Sequence, residues 1–116
     1  MDNRLLGALG EQTAGRYLRE HGYTLVASNY KTAAGELDIV AGKDGTLCVV
    51  EVKTRQAGGF LPPSAAVDAR KQENLRNCAA AFVAETGTKQ NVRFDIVEVL
   101  VENGKVTDVR HIENAF

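Results

Sequence analysis

The spacing of apolar residues marks seven elements. From Arg4 to Glu20, Leu5, Leu6, Leu9, Thr13 and Tyr17 recur at three- and four-residue intervals, which predicts a helix with one broad buried face. His21-Gly22 supplies its stop, with glycine at the left-handed position. Three strands follow: Tyr23 to Tyr30, then, after a Lys31–Gly35 loop, Glu36 to Gly42, then Leu47 to Arg55. The Lys43-Asp44-Gly45-Thr46 segment between the last two reads as a tight turn. Gln56 to Pro63 has no period and holds two Gly and two Pro, so it reads as a loop. Asp68 caps a second helix, Ala69 to Thr86, whose apolar face is Leu75, Cys78, Ala79, Phe82 and Val83 and whose stop is Gly87. Asn91 to Val101 and Lys105 to Ile112 form a strand pair around the hairpin turn Asn103-Gly104. The order α-β-β-β-α-β-β predicts one α/β domain over 1–116, a mixed five-stranded sheet flanked by two helices.

Composition narrows the class. The chain has 116 residues, 44% hydrophobic and 25% charged, the profile of a soluble folded domain rather than a disordered one. It offers no run long enough for a membrane helix and no signal-peptide pattern, so the expected setting is cytoplasmic, without a membrane partner. Cys48 and Cys78 have no histidine or second cysteine at metal-ligand spacing and read as core residues. With 14 basic and 15 acidic residues, net charge is −1, so any case for a polyanionic partner must be local. Between Lys53 and Arg76 there are five basic and two acidic residues, a modest zone of that kind. Phe60 in the loop is a candidate for stacking on a base or for folding onto the core.

The candidate chemistry lies in strands two and three. Strict alternation puts Glu36, Asp38 and Val40 on one face, opposite Leu37 and Ile39. If Asp44-Gly45 is a two-residue turn, Lys43 pairs with Thr46, Val40 with Val49, Asp38 with Glu51 and Glu36 with Lys53. Two opposed carboxylates destabilise a plain hairpin, and a hard divalent cation would relieve the repulsion. Lys53 beside them could orient a water or stabilise a phosphoryl transition state. The competing account is a solvated sheet face with a Glu36–Lys53 ion pair. Two helix residues could join the cluster. Glu11 lies on the edge of the first helix's apolar arc, as a further ligand or a plain boundary residue. Lys71, in the first turn of the second helix, points a cation toward the sheet or snorkels out, and Gln72 beside it is a weaker candidate. Arg93 and Asp95 read as a structural pair.

At these residues the sequence resembles the YraN family of predicted endonucleases. The resemblance rests on Gly10-Glu11, Ala14 and Tyr17-Leu18, then Gly35-Glu36-Leu37-Asp38-Ile39-Val40 and Glu51-Val52-Lys53-Thr54-Arg55. It continues through Lys71-Gln72, Arg93-Phe94-Asp95 and His111-Ile112-Glu113-Asn114-Ala115-Phe116. It implies a restriction-endonuclease-like fold of the PD-(D/E)xK nuclease group, similar to archaeal Holliday-junction resolvases. By that resemblance Asp38 is the motif aspartate, Glu51 and Lys53 the E-x-K pair, and Glu11 the helix-one glutamate. Asp38, Glu51, the Val52 carbonyl and Glu11 would hold Mg²⁺ or Mn²⁺, with Glu36 completing the acidic pocket. Arg55, Lys71 and Gln72 would face nucleic acid, DNA above all. The motif's proline is replaced by Leu37. The implied activity is phosphodiester hydrolysis on structured or branched DNA, and symmetric cutting by resolvases suggests a homodimer. A non-catalytic nucleic-acid-binding module of the same fold and a protein-interaction domain are the alternatives.

Overall fold

The computed structural model describes residues 2–56 and 67–116. The expected order is found: α1 (Asn3–Glu20), β1 (Thr24–Thr32), β2 (Gly35–Lys43), β3 (Thr46–Gln56), α2 (Ala69–Thr86), β4 (Asn91–Glu102) and β5 (Lys105–Ile112). Strands β1 and β2 run further into the expected Lys31–Gly35 loop, which shrinks to a turn at Ala33-Ala34. Gln56, expected in a loop, ends β3, and the rest of that expectation, with Phe60, lies outside the described residues.

The sheet has the order β1-β2-β3-β4-β5. All neighbours are antiparallel except β3 and β4, which are parallel and joined through α2. Helix α1 covers one face and α2 the other, each over its own apolar cluster. The helix ends follow local chemistry. Asp2 Oδ1 accepts from the Leu5 N–H at 2.9 Å and Asp68 Oδ1 from the Lys71 N–H at 2.8 Å, so each carboxylate satisfies a first-turn donor. Gly87 closes α2 at φ 68°. The hairpin turns Asp44-Gly45 and Asn103-Gly104 have positive φ at both residues, as a type I′ turn requires.

The buried face of α1 differs from the expected one. It runs through Gly10, Thr13, Ala14 and Leu18, while Leu5 is 57% exposed. The cause is close approach to β3. A Cβ at Gly10 would collide with Thr54 Oγ1 and lie 2.9 Å from Thr54 Cβ, so the small residues rather than the leucines set the contact line. The α2 face is as expected at Leu75, Cys78, Ala79 and Phe82, which are buried, while Val83 at its edge is half-buried. Both cysteines are free and buried, and burial pushes the Cys48 thiol up to about 11.

Candidate metal centre

The β2/β3 hairpin starts in the register that its turn dictates. Lys43 pairs with Thr46 and Val40 with Val49. The ladder then ends at Ile39↔Val50, so the expected Asp38–Glu51 and Glu36–Lys53 ladder pairs do not form. Strict alternation also fails here. Ile39 and Ala41 pack in the α1 cluster, whereas Leu37 packs with Val40 in the α2 cluster. The reversal falls at Asp38, where the β1/β2 ladder also has a gap between Ser28↔Ile39 and Tyr30↔Leu37. The β1 residue in that gap, Asn29, has a left-handed backbone at φ 50°.

What the ladder loses, side chains replace. Asp38 Oδ2 accepts the Val52 N–H at 2.9 Å, a bond that a strand carbonyl would otherwise take. Beyond Val50, β3 is held by β4, with Glu51 beside Ile96 and Lys53 beside Glu98. The strands thus fork at the carboxylates, and Asp38 and Glu51 meet there through a side-chain hydrogen bond rather than across a ladder.

Both carboxyls are poorly solvated. Glu51 is 4% exposed. Burial, then the hydrogen bond and charge of Glu51, push Asp38 up to about 7, against the Val52 N–H and Lys71, which pull the other way. A shared proton is what two carboxylates at one site require when no cation separates them. Two ammonium groups converge on the same Glu51 oxygen. Lys53 Nζ lies 3.6 Å from Oε2 and Lys71 Nζ 3.4 Å from it. Of the two orientations open to Lys71, toward the sheet or snorkelling out, its ammonium lies against Glu51 while the side chain stays 41% exposed.

The other predicted residues occupy distinct places. Glu11 and Asp38 line a shallow cleft of about 340 Å³ with Asn3, Leu6, Gly7, Val52 and Thr54. Burial raises the Glu11 carboxyl above its ordinary range, and Asp38 and Glu36 add to the effect. Glu36 is exposed on the flank. Gln72 spends its amide on the Val67 carbonyl at 3.0 Å. Arg55 turns to another acid. Its Nε lies 2.8 Å from Glu98 Oε2, and Glu98 is itself 2% exposed and approached by Arg110 at 3.8 Å. Arg93 and Asp95 pair as expected, near the start of β4, with Nε–Oδ1 at 2.9 Å and Nη2–Oδ2 at 2.8 Å.

Pattern reading missed Asn29. Its carboxamide nitrogen, turned to face the two carboxylates, donates to Glu11 Oε1 at 2.9 Å and to Glu36 Oε1 at 3.1 Å. An asparagine inside an apparent strand was the available signal, because asparagine is depleted in strands and enriched at positive φ.

A family model described as uncharacterised protein family UPF0102 matches residues 10–99, which include every residue of the carboxylate cluster. The chain belongs to UPF0102. Similar UPF0102 proteins include one from Alkaliphilus oremlandii, 42% identical with 98% of this chain and 99% of that one covered. One from Syntrophomonas wolfei is 44% identical with the same coverage. One from Solibacter usitatus is 48% identical over 83% of this chain and 75% of its own. Membership in UPF0102 extends over nearly the full chain, so the family likeness includes both helices and the sheet.

Among the described residues no three His, Cys, Asp or Glu side chains stand together as a metal-binding group. The pair that does meet, Asp38 and Glu51, consists of hard oxygen donors. It matches a cation such as Mg²⁺ that takes one or two carboxylates and keeps several waters. No helix among the described residues is long and apolar enough to cross a membrane.

Proposed function

We propose that this UPF0102 protein is a metal-dependent nuclease acting on structured or branched DNA in the cytoplasm. The observation that carries the reading is the contact of two desolvated carboxyls, Asp38 and Glu51, at a forked strand pair, with Lys53 on the same carboxylate. That arrangement costs folding stability and has no structural use that an apolar pair would not serve better, which favours a functional origin.

In this reading Asp38 and Glu51 hold Mg²⁺ or Mn²⁺ with the Val52 carbonyl, and Glu11 and Glu36 flank them. The bound ion would polarise a phosphodiester oxygen and acidify a water. Lys53, 29% exposed and against Glu51, sits where an ammonium can orient that water and offset charge gathering on the phosphorus. Lys71, also on Glu51, is the more exposed of the two lysines, and its ammonium would meet a phosphate at the mouth of the site. Arg55, with its Nε on Glu98, supports the β3–β4 seam beside the proposed DNA path. A homodimer would present two such centres to two strands.

The test is cleavage of labelled single strand, duplex, flap and four-way junction with Mg²⁺, Mn²⁺ or chelator. Wild-type protein is expected to cut a branched substrate only with metal, and Asp38→Ala and Lys53→Ala each to lose at least about a hundredfold in rate. Equal cutting by both variants would overturn the assignment. Salt-sensitive binding without cutting would identify a non-catalytic nucleic-acid module, and neither cutting nor binding a protein-interaction domain.

A further inference from the structure

The structure assigns to Asn29 the role of positioning residue at the carboxylate centre, clamping Glu11 of α1 to Glu36 of β2 on either side of Asp38. The inference rests on the proposed function and adds a residue to it.

Three observations converge on this side chain. First, its NH₂ group has two donor hydrogens and meets two carboxylate acceptors, Glu11 Oε1 at 2.9 Å and Glu36 Oε1 at 3.1 Å. The opposite orientation would set the carboxamide oxygen against both carboxylates, so the hydrogen-bonding pattern itself fixes the direction. Second, Asn29 stands in the gap of the β1/β2 ladder across from Asp38, the position where β2 reverses its alternation. Third, its backbone is left-handed at φ 50°. Glutamine has the same amide but tolerates that backbone less well, and glycine takes the backbone without an amide. Asparagine alone combines a short two-donor amide with tolerance of positive φ.

The clamp adds a polar tie to elements that already pack through the α1 apolar cluster. Glu11 comes from a helix packed on one face and Glu36 from the end of a strand. Both are acids beside Asp38, and the Glu11 carboxyl is raised by burial first and then by the charges of Asp38 and Glu36. A neutral donor between them holds the two acids in place without adding a cation that would compete at Asp38. Hydrogen-bond partners that orient carboxylates around a metal site are worth about 10–100-fold in metal affinity.

The experiment is Mn²⁺ binding by calorimetry to the full chain, comparing wild type, Asn29→Gly, Glu11→Gln/Glu36→Gln and the triple variant, with thermal melts of each in chelator. Asn29→Gly keeps the backbone easy and removes the amide. It is expected to weaken Mn²⁺ about tenfold while melting within a few degrees of wild type. In the Glu11→Gln/Glu36→Gln background the same change is expected to have no further effect on affinity, because the amide acts through those two carboxylates. Undiminished affinity in Asn29→Gly, or an equal loss in both backgrounds, overturns the inference while wild-type Mn²⁺ binding stands. Absence of Mn²⁺ binding by wild-type protein overturns the inference and the proposed function together.

Discussion

Asp38 is a carboxyl whose ionisation works against the fold. Its value rises from an ordinary carboxylate's to about 7 on folding, chiefly through burial and then through Glu51. A raised acid is destabilised in its charged form. Its contribution is therefore most favourable below about pH 4, declines as pH rises toward 7 and is constant above that. Asp38→Asn can still accept the Val52 N–H and can donate to Glu51. It should raise stability at pH 8 by about 1–2 kcal/mol and flatten the decline between pH 4 and 7, read from urea midpoints. Cation binding has the opposite sign. It needs the deprotonated pair, so Mn²⁺ affinity should rise from pH 6 to 8 and binding at pH 6.5 should release a proton, seen by calorimetry in buffers of different ionisation heat. The composition of this site was legible in the sequence because Glu51 and Lys53 share a strand face and the Asp-Gly turn fixes the nearby register. The meeting of Asp38 with Glu51 was legible only as chemistry. The geometry depends on Asn29 and α1, which lie elsewhere in the chain, and no hairpin count extends to them.

Among the elements, α1 and β3 make the contact that sets the depth of the cleft. Gly10 faces Thr54 with no room for a methyl group. Gly10→Ala improves helix propensity yet should destabilise the protein by about 1–3 kcal/mol through overpacking. Adding Thr54→Ala, which removes the colliding hydroxyl, should recover part of that loss in denaturant titrations. Helix periodicity identified α1 and its length, and Leu6, Leu9 and Tyr17 do pack partly buried against the core, but the fully buried line runs through Gly10, Ala14 and Leu18. Periodicity scores hydrophobicity, whereas this interface is selected by size. The α2 face was read correctly because large apolar residues themselves fill it against the sheet.

Across the whole molecule, one buried ion network ties the end of the described chain to the sheet. Asp95, 0% exposed, is reached by Arg93, by His111 Nε2 at 2.8 Å and by the Asn114 N–H at 3.0 Å. Burial alone would raise Asp95, but the bonds from His111 and Arg93 outweigh it and bring it down to about 2. This depressed acid stabilises the fold above about pH 4, and the contribution is lost as pH falls toward 2. Asp95→Asn should cost about 3 kcal/mol at pH 7 and make unfolding below pH 4 less steep, measured by circular dichroism. The Arg93–Asp95 pair was visible in the strand alternation. The additions of His111 and Asn114 were not, because a register shift at Leu100/Val101 offsets the β4/β5 hairpin from its turn-based count and Asn114 lies beyond the ladder.

The sheet is built from local antiparallel pairs except at its one parallel seam, where Thr46 lies beside Asn91 and Gln56 beside Val101. Among the described residues that seam is also the only ladder holding β3 beyond Val50. During synthesis, a chain that has emerged as far as Lys71 already contains every member of the candidate centre. Glu51 and Lys53 nonetheless have no neighbouring strand to fix them until β4 arrives, because a parallel partner comes late and closes a long loop. The order of residues along the chain thus acts as a timer: the charged groups are made early, and their alignment waits until β4 has been produced.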